Sequence, residues 1–126
     1  MEERASLQAL IERHCATLRA NTELIGQLIG SMAGPDGGTA ARQALDLAHQ
    51  VAGAGGSIGF RAVSTAARAV EQELKRAIQA PAASSRAALI VRFQTLRETV
   101  AAVRPEESSL YKLDFARLGA PRRDRR

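Results

Sequence analysis

This chain has no tryptophan, one tyrosine and three phenylalanines among 126 residues. So few aromatic rings leave little for bases to stack on, which weakens any reading as a single-strand nucleic-acid binder. Cysteine occurs once, at Cys15, so there is neither a disulfide framework nor a cysteine metal cluster; a reducing compartment is compatible with that. The two histidines, His14 and His49, fall in separate predicted helices, and no metal site is expected from them. No apolar run reaches the roughly 20 residues needed to span a bilayer, so no membrane partner is expected. The opening MEERASLQ is acidic and lacks the apolar stretch of a secretory signal. A soluble, cytoplasmic protein is the expectation. Long alternating runs of β-branched residues are also missing, which argues against a sheet.

What the chain does have is alanine, which makes up much of a hydrophobic content of 45% and is the strongest helix former. The length suits a single domain with a modest core. The net charge is +5, but it is concentrated at one end. RRDRR, residues 122–126, sets four arginines against Asp124, a net of +3, which leaves only +2 for residues 1–121. The body is therefore a mixed-charge surface rather than a basic groove, and nucleic acid is not an expected partner. The tail reads as a solvated terminus.

Four amphipathic helices separate along the chain. The first is predicted over about Glu3 to Met32, with Leu7, Ile11, Leu18, Ile25, Ile29 and Met32 on one stripe at helical spacing. His14 shares that stripe, as a core or boundary histidine, and a bend is expected near Asn21-Thr22, which would cap a second piece of the helix. A turn cluster, Gly34 to Gly38, follows. The second helix is predicted from Thr39, as N-cap, to about Gly56, its inward face built from Ala41, Ala44, Leu45, Ala48, Val51, Ala52 and Gly55. The third runs from about Arg61 to Gln79 and is stopped by Pro81; Glu71, Glu73, Lys75 and Arg76 supply most of its charge. Ser84 or Ser85 caps the fourth, whose stripe is Leu89, Phe93, Leu96, Val100 and Val103, and Pro105 ends it. The expected fold is all-α: an antiparallel four-helix bundle over residues 1–104. Residues 105–126 are expected to form a short, partly disordered C-terminal extension with the basic tail. In it Tyr111, Phe115 and Leu118 are expected to make one amphipathic turn that docks on the bundle in preference to a partner.

The stretch ALDLAHQVAGAGGSIGF, Ala44 to Phe60, holds four of the ten glycines and His49. A dinucleotide fingerprint fails there: after Gly53 and Gly55 the third glycine would fall on Ile58, and no strand precedes. A P-loop fails as well, because Phe60 and Arg61 follow Gly59 in place of lysine and a hydroxyl residue. At 100° per residue His49 lies roughly 110° from the centre of the apolar face, beside Arg42, Asp46, Gly53 and Gly56. It is therefore expected to be largely exposed, next to a strip almost without side chains. A mid-helix glycine costs about 0.5–1 kcal/mol relative to alanine. Close packing on a neighbouring helix accounts for the inward Gly55 but not for the outward Gly53, which clearance around His49 does explain.

AHQVAGAGGSIGF resembles the signature of histidine-containing phosphotransfer (HPt) domains, H-x-L-K-G-[SA]-[SA]-G-x-[LI]-G. His49 falls on the phosphorylated histidine, Val51 on the apolar position, Gly53 on the first glycine, Ala54 and Gly55 on the small residues, and Gly56, Ser57, Ile58 and Gly59 on the rest. Ala52 stands where many members carry lysine, a residue expected near the phosphoryl group; Arg42 is the suggested substitute. The resemblance implies a phosphocarrier rather than an enzyme. It would take a phosphoryl group on His49 from the phosphoaspartate of a response-regulator receiver domain, free or within a hybrid histidine kinase, and pass it to another receiver. No cofactor of its own is implied, the Mg²⁺ being expected on the receiver. The implied docking face lies on the first two helices around His49, with Asp46, Gln50, Leu24, Leu28 and Leu47, and with Gly53 and Gly56 admitting the receiver's loops. A monomer is expected. The alternative is an HPt-like helical module that binds receivers or other partners without carrying phosphate.

Overall fold

A computed structural model describes residues 2–108. Four α-helices account for most of them: α1 (Glu2–Ser31), α2 (Gly37–Ser57), α3 (Arg61–Gln79) and α4 (Arg86–Ala101). Two single 3₁₀ turns, Pro81–Ala83 and Pro105–Glu107, sit at the two ends of α4, and no strand occurs among the described residues. Each helix packs on its sequence neighbours, and α4 returns to α1 to close the ring. Cross-helix pairs fix the directions. His49 on α2 meets Glu71 on α3, and Gly56 meets Ser64, so residue numbers run oppositely along this pair. Between α1 and α4, Glu23 meets Arg97 and Gly26 meets the Phe93 ring, which is again antiparallel. The architecture is the expected antiparallel four-helix bundle.

The core follows the predicted stripes. Ile11, Leu18 and Ile25 of α1, Val51 of α2, Leu74 of α3 and Leu96 of α4 are all buried to within 1%. Burying each such side chain contributes about 1.5–3 kcal/mol. Alanine dominates the inner face of α2, with Ala44 and Ala48 wholly buried, so its neighbours come close. At Gly55 the approach leaves no room for more: an added methyl would lie 2.9 Å from Val63 Cγ1 and 3.2 Å from the Ser64 amide nitrogen. Gly59, in the turn that follows, adopts φ 85°, a left-handed conformation that glycine takes without steric cost.

Several details differ from the sequence-based expectation. α1 runs as one helix through Asn21-Thr22, and no second piece starts there. Thr22 caps nothing; it is buried at 2% exposure and its hydroxyl has no hydrogen-bond partner. α2 begins at Gly37 rather than Thr39, so the turn cluster gives up two residues to the helix. Its N-cap is Asp36, which makes no side-chain capping bond, and a Cβ on Gly37 would run into the Met32 carbonyl. Leu45 is half-buried rather than fully inward. At α4 the cap is Ser85, whose Oγ accepts from the Ala88 amide at 3.1 Å, while Ser84 turns its hydroxyl to the Pro81 carbonyl.

Side chains tie the ends of the bundle together. Arg19 donates to the Val103 carbonyl at 2.7 Å, Arg86 donates to that of Ile29 at 3.3 Å, and the buried Ser108 hydroxyl donates to that of Ile58. Each satisfies a carbonyl at or near a helix end, where intrahelical donors run out. The expected amphipathic turn with Tyr111, Phe115 and Leu118 and the arginine-rich tail lie outside the described residues.

Candidate functional site

α2 carries His49 on its outer side because Ala48 and Val51, flanking it on the helical net, are drawn into the core. The imidazole is 77% exposed. Its Nδ1 lies 2.9 Å from Glu71 Oε2 on α3, and Lys75, one turn further along α3, places Nζ 3.9 Å from the same oxygen. Glu71 is mostly covered, with 13% of its side chain exposed. A carboxylate only accepts, so the proton of this bond sits on Nδ1 and the neutral ring presents Nε2 as its bare nitrogen. The arrangement is an imidazole on an open surface, oriented from behind by an acceptor that is itself held in place.

Gly53 lies one turn after His49, and a methyl added there would meet nothing within 4 Å. Gly56 is a turn further on and differs: Ser64 Oγ would lie 3.6 Å from such a methyl, an ordinary contact. Seven residues separate Gly56 from His49, a rise of about 10 Å. The ground immediately beside His49 is therefore cleared at Gly53, whereas Gly56 opens a more distant part of the α2–α3 groove.

The other residues singled out from sequence spread around this centre. Asp46 and Gln50 are exposed on the turns next to His49. Arg42 is exposed two turns before it, where it lines a separate hollow with Met32, Pro35 and Ile78 at the α1–α2 turn. The structure brings Lys75, not Arg42, to the carboxylate that holds His49. Ala52 is buried at 3% exposure, so no cation leaves the helix at that position. Leu24 of α1 is exposed at 43%, but Leu28 and Leu47 are half-buried and pack against the core. Of the three leucines expected on the docking face, Leu24 alone stands clear.

Glu71 and Lys75 figured in the sequence only as charges on the third helix. A usable signal was present: His49 is 11 residues before Phe60, and Glu71 is 11 after it. Two helices folded back about a tight turn at Phe60 bring those positions level. His14 is half-buried, the boundary position its stripe implied. Cys15 is buried at 1% exposure. Burial pushes its thiol above the usual cysteine range, Arg19 opposes that, and Glu106 and Glu12 add to the rise; it is a core residue rather than a reactive one. Among the described residues no cluster of three or more histidine, cysteine or acidic side chains is placed to hold a metal ion. No described helix is long and apolar enough to cross a membrane.

A family model described as Hpt domain matches residues 5–106, which takes in all four helices and His49. No curated protein and no solved structure matches the chain.

Proposed function

The chain belongs to the Hpt domain family, the histidine phosphotransfer modules of phosphorelays, and on that premise we propose that it is a phosphocarrier whose acceptor is Nε2 of His49. The observation that carries this reading is the His49–Glu71 pair: an imidazole 77% exposed, with its far nitrogen held by a carboxylate at 2.9 Å. A receiver domain would present its phosphoaspartate over α2 beside Gly53. The Nε2 lone pair attacks the phosphorus in line, the bond from phosphorus to the aspartyl oxygen breaks, and the aspartate leaves as a carboxylate. The ring, now bonded to phosphorus at Nε2 and to hydrogen at Nδ1, is cationic. Glu71 receives that charge through the bond it already makes, so little reorganisation accompanies transfer. Lys75 steadies Glu71 and adds a positive charge to the site, where Ala52 adds none.

The Mg²⁺ and the acidic pocket belong to the receiver; this chain contributes a positioned nucleophile and a surface to dock on. No cofactor of its own enters the scheme. A single exposed imidazole needs no second copy of the chain, so the carrier acts as a monomer. The direction of net flow follows from whichever receivers it meets.

The test is incubation with receiver domains labelled on their phosphoaspartate. Label is expected to move to this chain as an acid-labile, base-stable phosphate and to be absent from His49→Gln. Label that persists in His49→Gln places the acceptor elsewhere. A chain that binds receivers without ever taking label is the non-carrying module instead.

A further inference from the structure

Beyond Gly53 the α2–α3 groove ends in a hollow of about 440 Å³ lined by Gly56, Gly59, Arg61, Ser64 and Arg68. Its chemistry is one-sided. Two arginines line it and, among the described residues, no acidic residue does. Neither Arg61 nor Arg68 lies within 4 Å of a carboxylate oxygen among the described residues, so both are available to an incoming anion. The floor is Ser64, at 4% exposure. Its hydroxyl faces Gly56, makes no hydrogen bond within the chain and stays open to the hollow. The hollow also lies at the start of α3, whose N-cap Phe60 has no side chain to cap the first amides. The partial positive charge of that helix end therefore adds to the two arginines. An anion entering here finds two forked donors, a free hydroxyl and a favourable dipole, with no acidic residue in the described lining.

Its position says which anion. The register that sets His49 against Glu71 sets Gly56 against Ser64. The hollow thus lies on the same groove as the phosphoryl acceptor, about 10 Å along α2, and nothing fills the space at Gly53 between them. A protein interface of ordinary size covers about 800 Å² on each partner, a patch far wider than that distance. Any protein seated over His49 also covers the hollow. We propose that this hollow is an anchoring subsite for a carboxylate side chain of the docked receiver. Arg61 and Arg68 clamp it, Ser64 donates to it, and the contact sets docking register and selects among receivers. The proposal rests on the reading that receivers dock at His49. The contact lies away from the reacting atoms, so it acts on encounter and residence of the partner and not on the chemical step.

The test uses the full chain, the receiver that labels it fastest, and phosphoramidate, a small donor that phosphorylates imidazole without docking. In the double variant Arg61→Glu/Arg68→Glu, half-saturation by the phosphorylated receiver is expected to rise at least about tenfold and to lose most of its salt dependence. Transfer at saturating receiver and labelling by phosphoramidate are expected to stay as in the unaltered chain. An Asp→Arg or Glu→Arg change at one position of the receiver's docking surface is expected to restore the reversed pair. An unchanged half-saturation overturns the proposal while leaving the carrier reading intact. So does a loss confined to saturating receiver, which would put the arginines in the chemistry. Competition by a few millimolar inorganic phosphate that vanishes in the double variant would make this a free-anion site instead. A chain that phosphoramidate labels on His49 but no receiver labels or binds fails both readings.

Discussion

Gly26 on α1 and Gly53 on α2 look alike in the sequence, each a glycine inside a long helix, and they do opposite things. A methyl on Gly26 would lie 2.7 Å from Cζ of Phe93 on α4, whereas a methyl on Gly53 would meet nothing within 4 Å. The seams that hold them differ in the same way. On the α1–α4 seam the ion pair Glu23–Arg97 lies at 3.5 Å with both side chains about 60% exposed, a contact worth about 0–1 kcal/mol. On the α2–α3 seam His49 is exposed but its partner Glu71 is mostly covered, so the bond holds the ring in one orientation. One seam spends its glycine on packing and the other leaves its glycine bare beside an exposed imidazole. A mid-helix glycine is a cost in both places, and the benefit is stability in one and access in the other.

Substitutions break this comparison in order of size. Filling the bare position has the largest effect. Gly53→Leu is expected to slow transfer from a phosphorylated receiver by about 100-fold, since displacement of the reacting groups by an ångström is enough for that, while the thermal unfolding midpoint stays level or rises. Equal transfer rates in the two proteins would end the clearance argument. Removing the orienting acceptor comes next. Glu71→Ala is expected to cost about tenfold in transfer, in line with the loss of a carboxylate behind a functional histidine. The shift should appear in the histidine NMR spectrum as a mixture of Nδ1-H and Nε2-H tautomers. A single Nδ1-H form in that variant would remove Glu71 from the orienting role. Filling the packed position is the smallest. Gly26→Ala forces the Phe93 ring aside at about 1–3 kcal/mol, offset by the 0.5–1 kcal/mol or so that alanine gains over glycine in a helix. A net loss of about 1 kcal/mol by denaturant unfolding is expected, with transfer by the folded protein unchanged. A transfer defect in Gly26→Ala would mean that the two seams are coupled.

Much of the bundle was legible because helical periodicity is local. The steps of seven in Ile11, Leu18 and Ile25, and of four and three in Leu89, Phe93 and Leu96, mark the buried faces without reference to any partner. The same arithmetic placed His49 and Gly53 on the outer side of α2. It erred where tertiary packing outweighs local preference. Thr22 looked like a helix-capping residue and is instead buried inside one unbroken helix, since the apolar stripe continues through it. Gly37 and Gly38 looked like a turn, yet they open α2, and at Gly37 the close Met32 carbonyl tolerates nothing larger than glycine. Leu28 and Leu47 lie off the main stripes but at the boundary, where a bundle with alanine-lined interiors closes tightly enough to cover them.

By itself the sequence determined that there are four helices, which faces they bury, and that one histidine stands exposed beside a bare glycine, since all of this follows from the 3.6-residue repeat and from side-chain volume. The tertiary structure alone decided which side chain reaches His49 and which cations are left unpaired. Those depend on how tightly α2 and α3 fold back about Gly59 and Phe60. That turn sets Glu71 against His49, brings Lys75 to the same carboxylate, and leaves Arg61 and Arg68 around a hydroxyl with no partner. Contacts between helices belong to the angle and register of the turn, and a residue pattern within one helix carries no record of them.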